Sequence, residues 1–372
     1  MRHQLSYSVY QDLSVFGDDP SASLRSVGCD SLEMLTSYDT PDASLKGLIG
    51  SVHLPYAPDW LAAWEDRSVE MPPDYALYHM FGSSREELVA NVRRAVAAAS
   101  VLDPPYGVFH AGNADTPEIF RRTYSRSDSD VLSALCEMLN TVVSGLPGGE
   151  PPFDIMLENL WWPGLRLLDP SGFRRLERDL EFERWGINLD TGHLMDCLPV
   201  STEAEAIDAL LDVFDGYPSD MIESIRAVHL HWSATWPYRS SFEERGYEPP
   251  FEEFIVEANR HVSQMDRHLP FSDPRCRELV DVLRPNFITH ELPGSERGMI
   301  EDLSKQRALL PRSVSCPCPS TARRSALCNS LLYVLQILGS RGIRNGTLQR
   351  GRAQAPRQDC LHELLRHQPQ EG

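Results

Sequence analysis

The chain of 372 residues lacks any run approaching the roughly 18 consecutive apolar residues of a membrane-spanning helix. Its first residues, Met1-Arg-His-Gln-Leu5, lack the apolar core of a secretion signal. A cytoplasmic protein with no membrane partner is therefore expected. The eight cysteines form no Cys-x-x-Cys pair. Cys29, Cys136, Cys197 and Cys276 fall in or beside expected elements and read as small core residues. Cys316-Pro-Cys318 has no second pair nearby, so it is a poor zinc site. No Gly-rich phosphate turn follows the first expected strand, which weakens a nucleotide-binding doubly wound sheet.

Charge is present in excess, and it is unevenly spread. The formal net charge is −19, but from Arg307 onward there are ten Arg, no Lys and three acids, a net of +7. The first 306 residues thus carry −26. Such a body repels nucleic acid at long range unless a local basic patch or a bound metal reverses the field.

Short apolar runs recur along the chain and read as strands: Leu5–Val9, Ser31–Leu35, Leu48–His53, Tyr106–His110, Phe153–Glu158, Trp185–Asp190, Ile225–His231 and Asn286–Glu291. Most are followed by a segment of helical period. The clearest runs from Ser83 to Leu102, with Ser ahead of Glu-Glu and with Leu88, Val92, Val96 and Ala99 on one face. Eight strands alternating with helices spell a (β/α)8 TIM barrel over residues 1–310. Trp236 to Phe271 is a long insertion after strand seven, of the length usual for a functional loop or lid. Residues 311–372 read as a basic Ser/Arg/Cys/Pro-rich appendage, poorly ordered apart from a short helix near Leu331–Leu338.

In such a barrel the C-terminal strand ends build the active site. Those ends carry His53, His110, Glu158, Asp190, His193, His229 and Glu291, and the insertion adds Asp266 and His268. Five imidazoles and four carboxylates aimed at one mouth are ligands for zinc, manganese or iron, and exceed the needs of one ion. A carboxylate shared between two ions suits two-metal hydrolysis. A lone strand-end histidine is more often packing, and His290 is read that way because it faces away from Glu291. His231 shares its face with His229 and reads as a substrate contact, as does Trp232. Trp161, Trp162 and Trp236 stand just past strand ends, as pocket walls or rim packing.

The motifs His53-Leu-Pro-Tyr56, Phe109-His110, Leu157-Glu158-Asn159, Leu189-Asp-Thr-Gly-His193, Val228-His229-Leu230, Asp266-Arg-His268 and His290-Glu291-Leu292 together resemble the xylose isomerase-like barrels. Within them they are similar to the endonuclease IV branch (AP endonuclease family 2), over about residues 1–310. The resemblance implies up to three zinc ions and hydrolysis of a phosphodiester. His53, His110 and Glu158 would hold the first ion. Glu158, Asp190, His229 and Glu291 would hold the second, and His193, Asp266 and His268 the third. Tyr56 matches an aromatic that probes damaged DNA in that branch, but Ala57 follows where a bulkier wedge is expected. His231-Trp232 replaces the usual polar pair, and the gap from His229 to Asp266 is long. With the acidic body, these departures leave a small nucleotide-bearing molecule as a substrate beside DNA. The alternative is a sugar or sugar-acid isomerase or epimerase of the same superfamily, acting on a sugar phosphate or a related sugar. That chemistry needs one Mn or Mg ion on Glu158, Asp190, His229 and Glu291, with Glu158 and Glu291 as the catalytic proton shuttle.

Overall fold

Eight strands, all parallel, close on themselves in sequence order in the computed structural model of the chain, with β8 returning to pair with β1. The structure describes residues 1–9, 11–292 and 296–310. The expected appendage at 311–372 lies outside them. The element order is β1 (Arg2–Ser8), α1 (Pro20–Ser26), β2 (Ser31–Leu35), β3 (Ile49–His53), α2 (Trp60–Trp64), α3 (Pro73–Met80), α4 (Arg85–Ala99) and β4 (Tyr106–His110). It continues with α5 (Asp128–Ser144), β5 (Asp154–Glu158), α6 (Ser171–Asp179), β6 (Trp185–Asp190), α7 (Thr191–Met195), α8 (Glu203–Asp215), α9 (Ser219–Ser224) and β7 (Ile225–His229). The last elements are α10 (Trp236–Arg239), α11 (Phe251–Met265), α12 (Cys276–Leu283), β8 (Phe287–His290) and α13 (Glu296–Leu309). This is a (β/α)8 barrel. No helix among the described residues is long and apolar enough to cross a membrane.

The helices form where the sequence supplies a cap and an apolar face. The Ser84 side chain accepts the Glu87 N–H at the start of α4, and Leu88, Val92, Val96 and Ala99 are buried. Ser127 and Asp130 make a reciprocal capping box at α5, as Thr202 and Glu205 do at α8. Each large aliphatic side chain so buried contributes roughly 1.5–3 kcal/mol.

Inside the barrel the lower layer is apolar, made by Tyr106, Val108, Met156, Ala227 and Phe287. Above it lies a hydrogen-bonded polar layer of Gln4, Glu33, Ser51 and Thr289. Alternation along the strands then puts His53, His110, Glu158, Asp190 and His229 at or near the C-terminal ends. The insertion after β7 is more ordered than a loop: it holds α10 and the fifteen-residue α11. Phe251, Phe254, Ile255, Ala258 and Met265 of that segment pack with Ile119, Phe120, Leu160, Trp161 and Trp162 from the loops after β4 and β5, a second apolar cluster separate from the barrel core.

Candidate metal centre

Glu158 ends β5 with both carboxylate oxygens engaged on different sides. Its Oε2 lies 3.2 Å from His53 Nε2 and 3.3 Å from His110 Nε2. Its Oε1 lies 2.9 Å from His229 Nδ1. His53 Nδ1 is 2.8 Å from the Leu54 carbonyl, so that nitrogen carries a proton and the ring turns Nε2 toward Glu158. Around His229 Nδ1 are also Glu291 Oε1 at 3.4 Å and Asp190 Oδ2 at 3.6 Å.

A third gathering surrounds Asp266. Its Oδ2 is 2.5 Å from His268 Nε2 and 3.3 Å from His193 Nε2. His193 Nδ1 is 2.9 Å from the Asn159 carbonyl, which again points Nε2 at the carboxylate. His268 has a left-handed backbone, φ 49°. The Ser233 hydroxyl accepts the Arg267 and His268 N–H groups at 2.7 and 3.3 Å and donates to Asp266 Oδ1 at 3.1 Å, which fixes that unusual turn. All nine expected residues are thus brought together. Their ligand atoms, with those of Glu33 and His231, fall into overlapping groups within 4.8 Å: His53, His110 and Glu158; Glu158, Asp190 and His193; Glu33, His229 and Glu291. Asp190, His231 and Glu291, and then His231, Asp266 and His268, complete the series.

The other expected contacts are placed as follows. Tyr56 stacks on His110, ring centres 4.7 Å apart and planes 17° apart. His231 is fully buried and its Nε2 lies 2.9 Å from Asp190 Oδ2. The absence of a side chain at Gly192 makes room for it, because a Cβ there would lie 2.0 Å from His231 Cε1. The Trp232 indole N–H donates to the Pro270 carbonyl and its backbone bridges to Leu269, tying the strap after α11 to the barrel. Trp161 packs edge-on to His193, ring centres 5.1 Å apart. His290 stacks on His3 and meets Gln306 of α13 at 2.7 Å, on the outer face as its register implies.

Three supports have no role expected from the sequence, although Asn159 stands in the Leu157-Glu158-Asn159 motif. Asn159 accepts the Asp190 N–H and donates to the Asp190 carbonyl, pinning β5 to β6 at the site. Its signal was its place directly after Glu158. Ser233 follows the His231-Trp232 pair. Glu33 lies mid-strand in β2, 1 % exposed, with Oε1 2.7 Å from His229 Nε2.

Five carboxylates in so small and dry a space create a strong demand for positive charge. Burial alone would lower the pKa of His229, yet Glu291, Glu158 and Glu33 hold it well above the ordinary range. Asp190 and Asp266 overcome burial at His193 in the same way. Against burial, Asp266 and Glu291 lift His268 to about 9. His110 is the exception: there burial outweighs Glu158 and the pKa falls. Burial would raise Glu158, but His229 and His110 hold it well below the usual carboxylate value. Buried Tyr56, near Glu291, Asp266 and Glu158, is pushed up to about 12 and keeps its proton.

Fold and donor set together define a (β/α)8 barrel whose C-terminal mouth carries imidazoles and carboxylates able to bind metal. No family model matches the chain, and no curated protein matches it. Solved structures do. A D-tagatose 3-epimerase-like protein is 16% identical, with 83% of this chain and 97% of that one covered and a TM-score of 0.47. Endonuclease IV from Thermus thermophilus is 15% identical, with 83% and 98% covered and a TM-score of 0.48. The apo form of 3-keto-D-glucoside 4-epimerase from E. coli is 12% identical, with 83% and 99% covered and a TM-score of 0.45. The strand closure itself, rather than this likeness, defines the fold.

Proposed function

We propose that the chain is a multi-metal hydrolase of phosphodiesters. The observation that carries the reading is Glu158, whose two oxygens face two separate ligand sets. The donor chemistry fits zinc, since neutral imidazole and carboxylate are its usual ligands. His53, His110 and Glu158 would hold one ion; Glu158, Asp190, His229 and Glu291 a second; His193, Asp266 and His268 a third. Bound there, zinc would supply Lewis acidity toward a phosphoryl oxygen and activate water near neutral pH. The chain's own side chains do the rest. Glu158 and Asp190 are fully buried, so their charges act in a water-poor pocket where electrostatics are strong. Tyr56 lies against His110, the more exposed of the two histidines facing Glu158 Oε2, and can donate a hydrogen bond to an incoming phosphate oxygen. The net charge of −26 over the first 306 residues favours a small phosphodiester over duplex DNA.

A second reading follows from another observation. Glu158, Asp190 and Glu291 all approach one atom, His229 Nδ1. One Mn or Mg ion there, with Glu158 and Glu291 moving a proton beside a carbonyl, would make a sugar isomerase or epimerase. Metal content of the purified chain separates the two, together with turnover of bis(p-nitrophenyl) phosphate, an abasic DNA duplex and ketoses. At least two zinc ions per chain and cleavage of the phosphodiester are expected. His268→Ala should abolish that cleavage. A chain with one ion, or a His268→Ala variant that still epimerises a ketose, overturns the hydrolase.

A further inference from the structure

Directly beneath the ligands sits a carboxylate that belongs to none of the three sets proposed to hold an ion. Glu33 comes from the middle of β2 and is 1 % exposed. An ordinary barrel interior carries branched aliphatic side chains at that depth. A buried carboxylate is costly unless it is well partnered. Here its two oxygens are partnered very differently. Oε2 accepts from the Ser51 hydroxyl at 2.7 Å and the Thr289 hydroxyl at 3.1 Å. The Tyr106 hydroxyl is 3.0 Å away and shares its proton with Gln4 Oε1 at 2.9 Å. Ser51 in turn accepts from Gln4 Nε2 at 2.9 Å. Oε1 receives none of these donors, and it lies 2.7 Å from His229 Nε2.

That division has a chemical consequence. An ionised oxygen so close to one ring nitrogen selects the tautomer with the proton there. In the neutral ring that would bind a cation, the lone pair is then on Nδ1, the atom that faces Glu158, Asp190 and Glu291. We propose that Glu33 is the positioning residue of the centre: it fixes the tautomer and tilt of His229 and makes Nδ1 a stronger donor to a cation. The proposal rests on reading His229 as a ligand, and it adds a residue the ligand sets do not contain. A carboxylate behind a ligating histidine is a general device of metal sites, and its loss typically weakens binding about 10–100-fold.

A purely structural role is the competing account, because Glu33 also ties β2 to β3, β4 and β8. Thr289→Val separates the two: it removes a bond to Oε2 and leaves the His229 side untouched. Zinc is titrated into the metal-free full chain against a chromophoric chelator, for the wild type, Glu33→Gln, Glu33→Asp, Thr289→Val and His229→Ala. The melting temperature of each metal-free protein is recorded alongside. Glu33→Gln is expected to weaken one ion by about 10–100-fold and leave the others unchanged. Thr289→Val should lose stability with its zinc affinities intact. Glu33→Asp keeps the charge with a shorter reach and should fall between Gln and wild type, which preserves the test if the Gln variant does not fold. Wild-type affinity in both Glu33 variants, or a loss matched by Thr289→Val, overturns the proposal. If His229→Ala binds as the wild type does, the proposal falls with the ligand assignment. A single ion in the wild type, weakened by Glu33→Gln, sinks the hydrolase but upholds Glu33.

Discussion

Asp59 shows what one buried side chain costs away from the metal centre. It precedes α2, and its Oδ2 accepts both the N–H and the hydroxyl of Thr116, at 2.7 and 2.6 Å. Burial raises its pKa from 3.8 to about 6; the Thr116 bonds oppose the rise and Asp115 adds to it. The unfolded carboxyl ionises near 3.8, while the folded one holds its proton to about 6. The folded chain therefore binds the extra proton in that window, and stability falls as pH rises through it, by on the order of 3 kcal/mol. Below the window both states are protonated and nothing is lost. Urea unfolding of Asp59→Asn and wild type should show the difference moving in the variant's favour by that amount between pH 4 and pH 7. An unchanged difference would reject the raised pKa.

At this same scale, seven of the nine candidate ligands were legible because each is a polar residue at the end of, or just past, an apolar run, whereas Asp266 and His268 were legible only as the Asp266-Arg-His268 motif of the insertion. Glu33 was not, for a physical reason. Alternation sets it opposite Leu32 and Met34, but both faces of a barrel strand are buried. The pattern alone does not say which face is the lumen. Ser233 was hidden differently: its partners Asp266, Arg267 and His268 are more than thirty positions away, and only the fold joins them.

Among the elements, strands were easier to read than the insertion. Ser31–Leu35, Tyr106–His110 and Trp185–Asp190 match their expected bounds, because short β-rich runs flanked by turn residues leave little choice. The segment after β7 read as one long loop, since its prolines and mixed charges masked the helical spacing of Phe251, Phe254, Ile255, Ala258 and Met265. Those side chains make α11 a docked cap with its own apolar cluster. Phe254 is 4 % exposed and meets Phe120 and Tyr247 edge-on. Phe254→Ala should cost about 3–5 kcal/mol locally. Limited proteolysis is then expected to cut between residues 236 and 271 well before the barrel unfolds. Cleavage no faster than in wild type would mean that the cap is held by other contacts.

For the whole molecule, the barrel follows from counting alternating strands and helices, while ring closure could be shown only by the β1–β8 pairing. The donors are drawn from positions 53 to 291, so no contiguous stretch of the chain contains the centre. Ribosomal synthesis therefore delivers His53 and His110 early and Glu291 near the end. A growing chain presents partial donor sets for most of its translation, and none has the full complement. Ribosome-stalled chains ending at residue 283 should surrender zinc to a chelator within the dead time, whereas chains extended past 310 and clear of the exit tunnel should retain it. Retention by the shorter chains would mean that half a barrel already captures its ion.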